Sequence, residues 1–111
     1  MTASFDFDGT LTRNDVQEYA IQLIGKGIEV SITSRRNRFQ TKEVYEMAKE
    51  LGIEKVRLTS GDNKCFFLVG TDVHIDNDPE EIREIERYSE GCEAVCVEDD
   101  DWIEKCNKIL F

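Results

Sequence analysis

The stretch SFDFDGTLTRNDVQEYAIQLIGKGIEVSIT, residues 4–33, decides the fold. Its opening, Ser4 to Phe7, reads as a short strand that runs into Asp8-Gly9-Thr10, a turn signal. Asp15 then stands where a helix cap is needed. Behind it Val16, Tyr19, Ala20, Leu23 and Ile24 recur at helical spacing up to Lys26, and Gly25 or Gly27 supplies the stop. Ile28, Val30 and Ile32 alternate up to Thr33, the two-residue period of a strand. Strand, helix and strand with short joints between them ask for a right-handed crossover, which makes the two strands parallel.

The same alternation continues outward. After the basic loop Ser34-Arg35-Arg36-Asn37-Arg38, Thr41 can cap a helix ending at Leu51, with Val44, Met47, Ala48 and Leu51 on one face and Gly52 as its stop. Lys55 to Thr59 reads as a third strand, Lys64 to Val69 as a short helix closed by Gly70, and Val73 to Asp76 as a fourth strand. Asp78-Pro79-Glu80-Glu81 is a helix start, with proline in the first turn and acids near the positive end of the dipole. Ala94 to Val97 is a fifth strand, and Asp99 to Asp101 precede a last helix through Trp102, Ile103, Cys106, Ile109 and Leu110. The expected fold is a three-layer α/β/α sandwich around a mostly parallel five-stranded sheet, in one domain spanning residues 1–111.

In such folds ligands bind at the carboxyl ends of the strands. The residues expected there are Asp6 and Asp8, Thr33 and Ser34, and Asp76 and Asn77. If the first strand persists to Asp8, its two aspartates point the same way and crowd one site. A hard cation compensates such crowding, and Mg²⁺ takes one or two carboxylates plus water and phosphate. Thr33 or Ser34 can donate to a phosphoryl oxygen while Lys64 neutralises its charge, so the pattern suggests a phosphate site.

The run Asp6-Phe7-Asp8-Gly9-Thr10-Leu11-Thr12 resembles the first motif of the haloacid dehalogenase superfamily of phosphohydrolases. Thr33 matches the second motif, with Ser34 as second choice. Lys64 matches the third, with Lys42 as the weaker candidate. His74-Ile75-Asp76-Asn77-Asp78-Pro79 matches the fourth, with asparagine where an acidic pair is commoner. The resemblance implies a Rossmann-like sheet without a cap domain and a Mg²⁺-dependent phosphatase. In it Asp6 would be the nucleophile and Asp8 the general acid and base, with Thr33 and Lys64 completing the catalytic set. It implies metal contact from Asp6, the Asp8 main-chain carbonyl and Asn77, with Asp76 helping through water. Gly9, Thr10, Ser34, Arg35 and Arg36 are the expected substrate-binding residues. Two other functions stand beside the phosphatase: a non-catalytic binding module on the same fold, and a receiver-like phospho-acceptor domain.

Composition narrows the partners. The 111 residues carry a formal net charge of −10, concentrated in residues 72–101, where thirteen acids face only Arg83 and Arg87. Such a block repels a nucleic-acid backbone, so bulk nucleic-acid binding is not expected, and an anion is expected to enter by the Arg35, Arg36, Arg38 and Lys64 side. The expected partner is a phosphorylated small molecule or polymer end, with a homo-oligomer as a cover for an open site. No apolar run is long enough for a membrane span, and Met1 to Asp8 has neither the basic start nor the apolar run of a signal peptide. Cys65, Cys92, Cys96 and Cys106 lack the pattern of a secreted disulfide framework and read as reduced thiols in a cytoplasmic protein.

Overall fold

A computed structural model describes residues 1–111. Its strands are β1 (Thr2–Phe5), β2 (Glu29–Ser34), β3 (Lys55–Leu58), β4 (Val73–Asp76) and β5 (Glu93–Cys96). Its helices are α1 (Asn14–Gly25), α2 (Lys42–Leu51), α3 (Pro79–Tyr88) and α4 (Trp102–Leu110), with a single 3₁₀ turn at Lys64–Phe67. All strand pairs are parallel, in the order β3-β2-β1-β4-β5. The expected α/β sandwich forms with no cap, since only a turn and α1 separate β1 from β2. The chain winds outward from β1 in both directions, so the carboxyl ends of β1 and β4 flank the crevice where such sheets take ligands.

The two faces of the sheet differ in chemistry. On one, Ala3, Phe5, Val30, Ile32, Val73, Ile75 and Val95 pack against the apolar sides of α1, α2 and α4 in one continuous core. Phe5 is fully buried there, and burying such a ring stabilises the fold by roughly 1.5–3 kcal/mol. Tyr19 of α1 meets Trp102 of α4 edge to face at 5.2 Å and donates its hydroxyl to Asn107 Oδ1 at 2.7 Å, which fixes the two helices against each other. Strand alternation turns Ser4, Ser31, Thr33, His74 and Asp76 to the opposite face, where all five are buried. That face is covered by α3 and the 3₁₀ turn through a small cluster of Cys65, Leu68, Ile85 and Cys92.

The element limits shift at both sheet edges. β1 ends at Phe5, not Phe7, because Asp6 to Leu11 form a wide turn closed by Leu11 N–H donating to Asp6 O at 3.1 Å. Of the expected caps Asp78 holds its place and accepts from Glu80 N–H at 3.0 Å, Thr41 and Asp101 make no such bond, and Asp15 lies inside α1, behind the N-cap Arg13, where it accepts from Val16 N–H at 3.0 Å. No helix is long and apolar enough to cross a membrane.

Candidate functional site at the carboxyl edge of the sheet

Asp6 leaves β1 at the sheet edge and is 6% exposed. Its Oδ1 accepts from Lys64 Nζ at 2.6 Å, and its Oδ2 accepts from the Thr10 hydroxyl at 3.1 Å. The same ammonium reaches Asp76 Oδ2 at 2.8 Å, so one buried lysine bridges two buried carboxylates. Burial is the largest influence on Asp6 and pushes its carboxyl up to about 6. The Asp76 charge adds to the rise and Lys64 opposes it.

Asp76 ends β4 and is saturated with donors. Its Oδ1 accepts from the backbone N–H groups of Asn77 and Asp78 at 2.8 and 3.1 Å, and its Oδ2 from Lys64 and from His74 Nε2 at 2.8 Å. Burial acts against its charge, but His74 and Lys64 together overcome it and hold the carboxyl well below the usual range. His74 is fully buried, and its pKa is lowered chiefly by desolvation, so the ring is neutral. With Nε2–H given to Asp76, Nδ1 must accept from Ser4 Oγ at 3.0 Å. Ser4 in turn accepts from the Thr33 hydroxyl at 2.7 Å, and Thr33 accepts from Arg57 Nη1 at 3.0 Å. Every buried group in this line finds a partner.

Asp8 stands apart from that cluster. The expectation that it shares a site with Asp6 is corrected by the turn: β1 has ended, and the Asp8 carboxylate swings out to 60% exposure. There it takes a two-pronged ion pair from Arg36, at 3.0 Å to Nε and 2.8 Å to Nη2, which holds its carboxyl below the usual range. Gly9 carries the turn at φ +75°, and a Cβ there would come within 2.4 Å of the Asn77 side-chain amide. Only glycine fits that approach.

Its surroundings assign the Asn77 amide nitrogen to the side that faces Asp6 Oδ2 at 2.9 Å, the Asp8 main-chain oxygen at 3.3 Å and Asp76 Oδ1 at 3.3 Å, since all three are acceptors. Three oxygens therefore converge on one amide nitrogen. No group of three or more His, Cys, Asp or Glu side chains is arranged around a common point to hold a metal. A hard cation would rest on Asp6, the Asp8 carbonyl and Asn77, a mixed carboxylate, carbonyl and amide oxygen set that suits Mg²⁺.

Thr33 is fully buried, with its hydroxyl engaged by Ser4 and Arg57 on the polar face of the sheet. Ser34 Oγ is also buried and accepts from Arg36 N–H at 3.2 Å. Arg35 pairs with the buried Glu81 carboxylate and donates to Asn63 Oδ1 at 2.8 Å. Arg36 pairs with Asp8 and Glu43 and lies over the Phe7 ring. The expected basic entry side is thus corrected in part: Arg35, Arg36 and Lys64 are each paired with internal carboxylates, while Arg38 is exposed, makes no ion pair and lies over the Phe39 ring. Beside Asp8, a cavity of about 520 Å³ is lined by Arg36, Phe39, Thr41, Lys42 and Glu43. The His74–Ser4–Thr33 line was missed from sequence. The signal for it was a polar side chain at alternate positions, Ser4 in β1, Ser31 and Thr33 in β2, and His74 and Asp76 in β4.

No family model and no curated protein matches the chain. Among solved structures it resembles the crystal structure of a universal stress protein in complex with cAMP, at 12% identity and a TM-score of 0.50, over 86% of this chain and 96% of that one. At that identity the likeness shows the fold alone. It corrects the family reading, since the structure matched is a universal stress protein and not a haloacid dehalogenase phosphohydrolase. The phosphatase and enzyme expectations fall with it, and with them the nucleophile role of Asp6 and the acid–base role of Asp8. The local geometry agrees, because an acid held ionised by an arginine fork is poorly placed to give up a proton.

Proposed function

We propose that the chain is a ligand-binding module that takes a small phosphate-bearing molecule together with Mg²⁺ at the carboxyl edge of its sheet. The observation that carries this reading is the convergence of Asp6 Oδ2, the Asp8 carbonyl and Asp76 Oδ1 on the Asn77 amide. Asp6, the Asp8 carbonyl and the Asn77 amide oxygen, once the amide is turned over, would hold the ion. Asp76, saturated by protein donors, positions Lys64 and Asn77. When bound, Mg²⁺ supplies the positive charge that relieves the buried carboxylates and meets a phosphate oxygen. Lys64 and the Thr10 hydroxyl keep Asp6 in one orientation, and the cavity beside Asp8 and Lys42 has room for the remainder of a small ligand. The solved structure of similar fold supports a small-molecule partner, since it is described in complex with cAMP, a phosphodiester. Four free cysteines support a reducing, cytoplasmic setting.

The test is a titration of the ¹⁵N-labelled protein, first with Mg²⁺ and then with AMP. Saturable shifts at Asp8, Gly9, Thr10 and Asn77 that vanish in Asp6→Asn support the reading. Absence of any saturable shift there overturns it, and so does steady release of inorganic phosphate from the ligand, which binding alone does not produce.

A further inference from the structure

The amino edge of the sheet carries a second cluster, on the polar face and away from Asp6. There the starts of β2 and β3 and the segment ahead of β4 enclose a cavity of about 220 Å³, lined by Glu29, Ser31, Lys55, Arg57, Gly70 and Thr71 among others. Register puts Ser31 opposite Lys55 and Thr33 opposite Arg57, so these side chains share one face of adjacent strands.

Arg57 is the unusual member. It is partly buried and makes no ion pair, whereas Arg13, Arg35 and Arg36 are paired with carboxylates and the other unpaired arginines, Arg38, Arg83 and Arg87, are exposed. Its Nη1 donates to Thr33 Oγ1 at 3.0 Å and its Nη2 to Thr71 Oγ1 at 3.3 Å. Two hydroxyls therefore fix the plane of the guanidinium, no carboxylate comes within ion-pair distance although Glu29 acts on it from across the cavity, and three of its five N–H groups remain free. Desolvation works against that charge, which an incoming anion would relieve. Ser31 is buried and its hydroxyl meets no protein partner, so it is a further donor at the cavity wall. Lys55 adds a second cation and Glu29 is the single acid of the lining.

We propose that this cavity binds a small oxyanion, a phosphate or carboxylate group, received by the Arg57 fork with help from Lys55 and the Ser31 hydroxyl. The site is distinct from the carboxyl-edge site and needs no metal. A guanidinium held flat by Thr33 and Thr71 is preorganised for two parallel hydrogen bonds to such a group. A volume of about 220 Å³ has room for such a group.

The experiment is a metal-free titration of the ¹⁵N-labelled protein with inorganic phosphate and, separately, with malonate, each against sodium chloride at equal ionic strength. Saturable shifts of the Thr2, Ser31 and Thr71 amides are expected, and the tighter of the two arms names the anion class. Arg57→Gln should weaken binding at least about 10-fold, and Glu29→Gln should tighten it by about 2- to 5-fold, since removing one partly screened like charge is worth that factor. Glu29 is exposed, so the second variant does not depend on how the first one folds. Asp6→Asn should leave these shifts in place, which separates this site from the carboxyl-edge one. Shifts no larger than those given by chloride, shifts unchanged in Arg57→Gln, no tightening in Glu29→Gln, or loss in Asp6→Asn would each overturn the proposal.

Discussion

Lys64 Nζ lies 2.6 Å from Asp6 Oδ1, with both side chains almost wholly out of water. The lysine comes from the 3₁₀ turn and the aspartate from the end of β1, so their pairing ties the crossover segment to the switch point of the sheet. Since the ammonium also serves Asp76, it is the sole compensating cation for two buried acids.

Lys64→Met should therefore cost more than an ordinary surface lysine. Breaking a buried pair by removing one partner leaves an uncompensated charge and typically destabilises by about 3–5 kcal/mol. Chemical denaturation at pH 7 checks this. A loss below about 1 kcal/mol would mean that the lysine is solvated and not bridging.

The raised carboxyl of Asp6, at about 6 against an ordinary 3.8, has a stability consequence of definite sign. Between those values the folded state holds a proton that the unfolded state has released, so the Asp6 contribution falls as pH rises from about 4 to 6. Its size is on the order of 2–3 kcal/mol. His74, buried neutral, runs oppositely below its unfolded pKa, so the difference between wild type and Asp6→Asn isolates the effect. Denaturation curves at pH 4 and pH 6.5 should show wild type losing stability relative to the variant. The affinity for Mg²⁺ should rise through the same window and level off above it.

Gly9→Ala places a methyl carbon against the Asn77 amide at a position of φ +75°. Strain of about 1–3 kcal/mol is expected, together with displacement of Asn77 and a weaker cation site. Thermal unfolding reads the first effect and Mg²⁺ titration the second. By contrast Asp8→Asn, which removes an exposed ion pair with Arg36, should change stability by less than about 1 kcal/mol.

Asp76→Asn removes the charge that gathers Lys64, His74 and two backbone N–H groups. An amide cannot accept from all four, so a loss of about 3–5 kcal/mol is expected in denaturant melts. Ser4→Ala interrupts the same line further in and leaves His74 Nδ1 without its donor. It should cost about 1–3 kcal/mol.

Periodicity made the sheet legible in the sequence, because the apolar alternation of Ile28, Val30 and Ile32 and the helical stripe from Val16 to Ile24 each serve the single core under α1, α2 and α4. The positions of Asp6, Lys64 and Asp76 followed from their places at strand ends and in the crossover. The exit of Asp8 did not, since two acids one residue apart share a side only while the strand lasts, and the hydrogen bond from Leu11 to Asp6 ends it early. The neutralisation of Arg35 and Arg36 depended on Glu81 and Asp8, distant in sequence, and no local pattern announces such pairs. Motif resemblance also reached past the fold to an activity, and the structural comparison redirected that step.

The most direct test of the account is calorimetric titration of AMP into the protein with and without Mg²⁺, in wild type and in Asp6→Asn. Saturable binding by wild type that needs Mg²⁺, and is lost or weakened at least about 10-fold in the variant, is the expected result. Binding that is indifferent to Mg²⁺ and to Asp6, or no binding at all, would contradict it.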